Sequence, residues 1–307
     1  MTAPRVSVVM SVYNGEARLP VTLDALLSQT MSNFELIAVD DGSTDGTRAV
    51  LDDYALRDAR IRVLAQPNSG LTRALIRGCA EARAPLIARE DCGDRSRPDR
   101  LRRQAEVFDA RPEAVLCACS VDVFAPDGEV MYTSTRDGAR VRESLLRDSL
   151  DRIVGLPAHP SAMFRTDAYH RAGCYREEFY FAQDLDLWIR LAPLGEIVIL
   201  PEVLHEQIFE PGAISGRARA EQVRSAEIAL ALRDAKSDDE SASLLDSARA
   251  IRPRQRHASR GASAAGFYFI GRTLQSRGDR AAAKYLRMAV KANPLLLRAW
   301  AALAGIR

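Results

Sequence analysis

The chain has 307 residues, 47% hydrophobic and 27% charged, with a formal net charge of +2, enough for one large core plus a smaller unit. That balance gives no basic face for nucleic acid, and the few lysines (Lys236, Lys284 and Lys291) make the positive charge a matter of arginine usage rather than of a patch. No apolar run reaches the roughly 18 residues of a membrane span, and Cys79, Cys92, Cys117, Cys119 and Cys174 are odd in number without zinc-ligand spacing, so a soluble chain with free thiols in a reducing cytosol is expected.

Val6–Met10 is a continuous apolar run and predicts a buried, parallel strand. Ser11 to Gly15 forms the loop at its carboxyl end. Leu19, Leu23, Leu26 and Leu27 stand at helical spacing within Ala17–Thr30. Phe34–Val39 reads as a second buried strand. It breaks into Asp40-Asp41-Gly42-Ser43-Thr44-Asp45-Gly46, rich in helix-capping residues, and a helix starts near Thr47. Two or three carboxylates thus sit at the carboxyl end of a buried strand, where open α/β sheets bind ligands. The plain alternative is a capping-rich turn. A calcium loop is rejected: a strand stands where the entering helix should be, and the twelfth position lacks the bidentate Glu.

Ile61–Ala65 predicts a third strand, Asn68-Ser69-Gly70 a turn into a helix over Leu71–Ala82, and Leu86–Ala88 a fourth strand. This alternation predicts a parallel sheet with right-handed crossovers. The fourth strand ends in Arg89-Glu90-Asp91-Cys92-Gly93-Asp94, and a helix follows over Asp99–Ala110. Val115–Phe124 and His159–Arg165 read as strands, Gln183–Leu191 as a helix and Glu196–Leu200 as a late strand. From about Ser215 the chain reads as helices, with polar breaks at Ser237–Ser241 and Arg252–Ser263. Tyr268, Leu274, Gly278, Ala282, Leu286, Ala289 and Pro294 resemble one tetratricopeptide-type unit, which would pack on the main domain or a partner. An ordinary helical tail is the alternative.

Six segments in order carry a family resemblance: VSVVMSVYNGE (Val6–Glu16), ELIAVDDGSTDGT (Glu35–Thr47), NSGLTRAL (Asn68–Leu75), IAREDCGDRSRPDRL (Ile87–Leu101), HPSAMFR (His159–Arg165) and QDLDLWIRL (Gln183–Leu191). Together they resemble the family 2 glycosyltransferases of the GT-A fold. The resemblance implies an α/β fold, with a Rossmann-like, mixed but mainly parallel sheet flanked by helices over residues 1–215. A helical C-terminal extension over residues 216–307 follows. It also implies transfer of a sugar, with inversion, from a nucleotide-diphosphate sugar to a hydroxyl of a saccharide or lipid-linked acceptor. The setting would be bacterial surface polysaccharide or glycoconjugate synthesis. The place would be the cytoplasm, with peripheral contact at the inner face of the membrane or with a protein through the C-terminal helices.

Carried over position by position, the resemblance puts Val12, Tyr13 and Asn14 around the nucleotide base with Glu16 nearby. Asp40 or Asp41 would accept from base or ribose, since a carboxylate only accepts. Arg73 and Arg89 fall on the donor side. Asp184 stands where the family has its catalytic base, with Gln183 replacing the usual acidic neighbour. Loss of that like charge should lower the Asp184 pKa. His159 and Trp188 fall on the acceptor side.

For a divalent cation, Mn2+ or Mg2+, the family pattern reads Ala-Arg-Met-Asp-Ala-Asp-Asp. Asp91 matches its first metal-site Asp, but Gly93 replaces the second and offers only a carbonyl. Where relatives carry Tyr-Arg-x-His, this chain has Gln207-Ile208-Phe209-Glu210. A metal site rebuilt from Asp91, Asp94 and Glu210 is therefore one expectation, and loss of the metal the other. Because Gly93, Gln183 and Glu210 all depart at chemistry positions, a non-catalytic nucleotide-sugar-binding or scaffold relative is the second functional reading. A nucleotidyltransferase is a third, weakened by the lack of a Gly-rich phosphate loop near the N-terminus.

Overall fold

The computed structural model describes residues 3–153, 155–211, 219–253 and 260–306. The expected boundary at residues 215 and 216 and part of the Arg252–Ser263 break lie outside the described residues. The chain opens with β1 (Val6–Val12), α1 (Leu19–Leu27), β2 (Phe34–Asp40), α2 (Thr47–Arg57), β3 (Ile61–Ala65), α3 (Leu71–Ala80) and β4 (Leu86–Asp91). These strands lie in the order β3-β2-β1-β4, all parallel.

Then come β5 (Arg95–Ser96), α4 (Arg100–Ala110), β6 (Ala114–Phe124), β7 (Val130–Ser134) and α5 (Gly138–Arg147). A 3-10 turn at His159–Ser161 leads to β8 (Met163–Arg165), α6 (Thr166–Arg171), α7 (Gln183–Leu191) and β9 (Glu196–Ile208). β8 pairs antiparallel with both β4 and β6, and β5 pairs antiparallel with β9, so the sheet is mixed around a parallel half. The helices α8 (Arg219–Asp234), α9 (Asp238–Ala250), α10 (Arg260–Ser276), α11 (Ala282–Ala292) and α12 (Leu297–Ala304) complete the described chain.

Strand alternation explains the layers. Val9, Ile37, Val39 and Ile87 face one apolar cluster with Leu75 of α3, Leu145 of α5 and Trp188 of α7. Val8, Met10, Leu36 and Ala88, one residue out of step, face a second cluster with Leu23 of α1, Leu51 of α2 and Phe108 of α4. A strand buried on both faces must be apolar throughout, which is why β1 and β2 were legible as continuous runs.

Packing divides the chain into two compact units, one of Met1–Val121, Thr135–Glu206 and Arg224–Ile251, the other of Asp122–Ser134, Gln207–Val223 and Arg252–Arg307. In the first, Ala226, Ala229 and Leu230 of α8 and Ala248 of α9 join the core cluster, and Arg233 donates to the carbonyls of Leu145 and Asp148. In the second, α11 presents Tyr285, whose hydroxyl donates to Asp127 Oδ2 (3.1 Å) and Glu129 Oε2 (2.8 Å) beside the Lys284–Asp127 ion pair.

The predicted strand His159–Arg165 is strand only from Met163, because Pro160 cannot donate to a ladder. β4 runs three residues beyond the predicted Ala88, carrying charged Arg89 and Glu90 inside the sheet.

Candidate active site

Strand register builds one wall. Val12 stands opposite Asp40 of β2, and Ser11 opposite Asp91 of β4. Asp40 and Asp91 therefore flank the end of β1, roughly 10 Å apart across two strand spacings. The loops after β1 and β2 are stapled together. Gly15 N–H donates to Thr47 Oγ1 (2.8 Å), Thr44 N–H to Asn14 Oδ1 (2.8 Å) and Gly46 N–H to Glu16 Oε2 (2.9 Å). Asn14 and Glu16 thus hold the loop shape, while Tyr13 is 49% exposed and Val12 is buried beneath it.

The two aspartates after β2 differ. Asp40 accepts from Ser43 N–H (3.0 Å). Asp41 is buried and fully committed: Oδ1 accepts from Ser69 N–H (2.9 Å) and Gln66 Nε2 (2.8 Å), and Oδ2 from Gly70 N–H (2.8 Å). Its carboxylate clamps the turn into α3. Arg73, in the first turn of α3, is half-exposed and pairs with Glu177 at 3.4 Å.

The loop after β4 rests on a buried charge network. Arg89, expected on the donor side, is fully buried and cannot touch a ligand in the cleft. Its Nη1 donates to the Val9 carbonyl (2.7 Å) and its Nη2 to Asp91 Oδ1 (2.6 Å), so it positions Asp91, whose side chain is 37% exposed. On the other face, Glu90 accepts from Ser96 Oγ (2.5 Å) and pairs with Arg100 at 3.1 Å, both charges buried.

Asp94 is buried as well and accepts from His205 Nε2 at 3.2 Å. His205 Nδ1 lies 3.8 Å from Glu90 Oε1, and neither atom has a hydrogen-bond partner among the described residues. Burial pulls the His205 pKa down to about 4 and pushes that of Glu90 up. The imidazole is therefore neutral, with its proton on Nε2 toward Asp94.

Asp91, Asp94 and Glu210 do not make the expected metal site. Asp94 is buried and turned inward to His205. No group of three or more His, Cys, Asp or Glu side chains able to hold a metal ion occurs among the described residues. The local cause is Gly93, at φ 104°, where the chain reverses. Thr22 of α1 accepts from Gly93 N–H and donates to the Asp94 carbonyl, each at 2.8 Å, which fixes that reversal. This donor set does not fit a divalent cation.

The start of α7 carries the remaining candidate carboxylate. Ala182 precedes it at φ 56°, a left-handed conformation costing an L residue roughly 1–2 kcal/mol. Asp184 is half-buried, accepts only from Leu185 N–H (2.9 Å) and makes no ion pair among the described residues. Burial raises its pKa; the Leu185 N–H opposes this, Asp91 adds to it and Arg89 lowers it. The expected lowering from the loss of an acidic neighbour is outweighed by desolvation. Asp91 and Arg89 are thus among the charges that act on Asp184, after burial and the backbone N–H groups. Asp186, two residues on and on the other side of the helix, is structural instead, paired with Arg176 (3.1 Å) and with Arg190.

Trp188, expected to stack on sugar or acceptor, has 0% exposure and packs edge-on to Phe164 and His159. It follows the apolar face of α7 into the core and offers no ring face to a ligand. His159 is buried behind the site, its Nε2 2.7 Å from Tyr175 Oη and 3.3 Å from Arg89 Nε. Burial, helped by Arg89, holds its pKa well below the usual value, so it is neutral. The sequence reading missed Tyr175, Arg100 and His205. The signal was the placement of Arg89 and Glu90 directly after an apolar strand, where each needs a buried partner.

Acidic loops at the carboxyl ends of a parallel β3-β2-β1-β4 half-sheet, in a mixed sheet flanked by helices, make this the fold of the GT-A glycosyltransferases. The chain belongs to glycosyl transferase family 2, whose model matches residues 7–173. It is 31% identical over 199 residues to the putative glycosyltransferase EpsE of Bacillus subtilis, covering 63% of this chain and 69% of that one. It is 29% identical over 205 residues to the amylovoran biosynthesis glycosyltransferase AmsE of Erwinia amylovora, 64% of this chain and 74% of that one. In fold it is similar to the mannosyltransferase PcManGT of Pyrobaculum calidifontis in complex with GDP-Man and Mn2+, with TM-score 0.59, 17% identity, and 100% of this chain and 85% of that chain covered. It is also similar to S. aureus TarS 1-349 in complex with UDP-GlcNAc, with TM-score 0.58, 16% identity, and coverage of 97% and 88%. No described helix is long and apolar enough to cross a membrane.

Proposed function

We propose that this protein transfers a sugar from a nucleotide-diphosphate sugar to a hydroxyl of a saccharide or lipid-linked acceptor, inverting the anomeric centre, in bacterial surface polysaccharide or glycoconjugate synthesis. The observation that carries this reading is the position of Asp184. It is a carboxylate without an ion pair among the described residues, at a strained helix start, its pKa raised in part by Asp91. In the proposed step the acceptor O–H gives its proton to the Asp184 carboxylate as its oxygen attacks C1, and the C1–O electron pair leaves with the nucleoside diphosphate. A single base and direct displacement invert the centre. Tyr13, Asn14 and Asp40 line the nucleotide side, with Val12, Glu16 and Asp41 holding the loops. Asp91, oriented by Arg89, faces the sugar diphosphate.

The donors bound by PcManGT and TarS support a nucleotide sugar as ligand. Residues 1–215 would carry the chemistry, and residues 216–307 would be accessory, available for protein or peripheral membrane contact at the cytoplasmic face. The test is a thermal-shift screen of UDP-, GDP- and dTDP-sugars, with and without Mn2+ or Mg2+. A ligand of the folded state raises the midpoint, by about 2.7 kcal/mol of stabilisation at a hundredfold excess over Kd. At least one donor should do so, and silence from all of them would remove the reading.

A further inference from the structure

We infer that His159 is a positioning residue for the donor site: its Nε2 accepts from the Nε end of the Arg89 guanidinium, whose far end holds Asp91, and its ring braces Trp188 of the helix that carries Asp184. This rests on the nucleotide-sugar reading above, in which Asp91 faces the sugar diphosphate. Three observations carry it. First, buried Arg89 is held along its whole fork. Nη1 donates to the carbonyls of Val9 (2.7 Å) and Glu90 (3.0 Å), Nη2 to Asp91 Oδ1 (2.6 Å) and Nε to His159 Nε2 (3.3 Å). A guanidinium is planar, so fixing its Nε–H edge helps to fix the direction in which Nη2 points. Second, the turn that carries His159 is tied to β4 at Arg89 itself. Arg89 N–H donates to the Ala162 carbonyl (2.8 Å), and Ala162 N–H to the His159 carbonyl (3.2 Å). Third, the imidazole is wedged in place. Tyr175 Oη lies 2.7 Å from the same Nε2, and Tyr175 N–H donates to Tyr169 Oη (3.1 Å). The ring stands edge-on to Trp188 with centroids 5.8 Å apart, and Trp188 follows Asp184 by about one turn of α7.

The same contacts assign the tautomer. An arginine N–H only donates, so Nε2 must present its lone pair. The ring proton is then on Nδ1, and the Tyr175 hydroxyl donates to Nε2 as well. His205 is the reverse, with its proton on Nε2 toward Asp94. Without the imidazole, the Arg89 Nε–H would be a buried donor with no partner, and the guanidinium would turn to find one, taking Asp91 with it. His159 itself has 9% exposure, so it acts through Arg89 and Asp91 rather than by touching substrate.

The test has two arms. In 15N-labelled wild type, long-range proton–nitrogen NMR, assigned by comparison with His159→Gln, should find the unprotonated ring nitrogen of His159 at Nε2. In the second arm, nucleoside diphosphate release at saturating donor is measured for wild type, His159→Phe, which keeps a ring against Trp188 but no acceptor, and His159→Gln, which keeps an acceptor oxygen. Affinity for UMP and GMP serves as the folding control. His159→Phe should lower turnover by about 100-fold, His159→Gln should keep part of it, and monophosphate affinity should not move. In an Asp91→Asn background His159→Phe should cost little more, because the two act in one chain of contacts. An unprotonated nitrogen at Nδ1, turnover of His159→Phe within a few-fold of wild type, or an equal loss in the Asp91→Asn background overturns the inference and leaves the transferase reading intact. No release by wild type from any donor overturns both.

Discussion

At the scale of single residues, Asp184 carries the proposed chemistry. Asp184→Asn should lower turnover by about 100- to 10,000-fold, the usual worth of general base catalysis, with donor affinity unchanged. Its pKa is raised, chiefly by burial, so the rate should climb with pH through that raised value, because the base works deprotonated. The sign for stability is opposite. A carboxyl with a raised folded-state pKa contributes stability below its unfolded value, and that contribution is lost as pH rises. Asp184→Asn should therefore melt higher than wild type at pH 7 and no higher near pH 4, a comparison scanning calorimetry makes directly.

His205 behaves the other way. Its pKa is lowered to about 4, so its contribution is present above the unfolded value near 6.5 and is lost as pH falls from there. The full loss amounts to about 3 kcal/mol for a shift of this size. His205→Gln should flatten the acid limb of a urea-midpoint profile between those pH values, and an unchanged limb would count against a buried neutral imidazole.

At the scale of elements, the apolar strands were legible and the charged ones were not. β1 and β2 read as strands because both faces are buried. β4 was cut short at Ala88 because Arg89 and Glu90 look like the start of a loop, and only the fold supplies their partners Asp91, Arg100 and Ser96. α5 passed unnoticed although Asp137 caps it, accepting from Ala139 and Arg140 N–H. Its apolar residues, Val141 and Leu145, are too few to stand out in an arginine-rich stretch.

The acidic run after β2 was legible as a site, but not the division of labour within it. Asp41 holds two backbone N–H groups of the next turn, a contact of long sequence separation that spacing cannot reveal. Asp41→Ala should cost about 2–4 kcal/mol in urea unfolding, since both donors are left buried and unpaired, and should weaken nucleotide binding by loosening that turn. Full stability in that variant would show that the clamp is not needed.

At the scale of the whole molecule, the order of motifs was enough for the sheet, but composition gave no sign of where the later helices pack. Arg224–Ile251 lie in the first compact unit, with Ala226, Ala229, Leu230 and Ala248 in its core. A chain ended at Ser215 should therefore expose that core and aggregate. One ended at Ile251 should stay dispersed and bind nucleotide, and light scattering separates the two.

The central claim, a nucleotide-sugar transferase with Asp184 as its base, is tested most directly by release of nucleoside diphosphate. UDP- and GDP-sugars would be offered with pooled oligosaccharide and lipid-linked acceptors to wild type and Asp184→Asn, with donor affinity measured on the same samples. The account predicts diphosphate release from at least one donor by wild type, and loss of that release in Asp184→Asn at unchanged donor affinity. Release by Asp184→Asn within a few-fold of wild type, or none by wild type from any donor it binds, would contradict it.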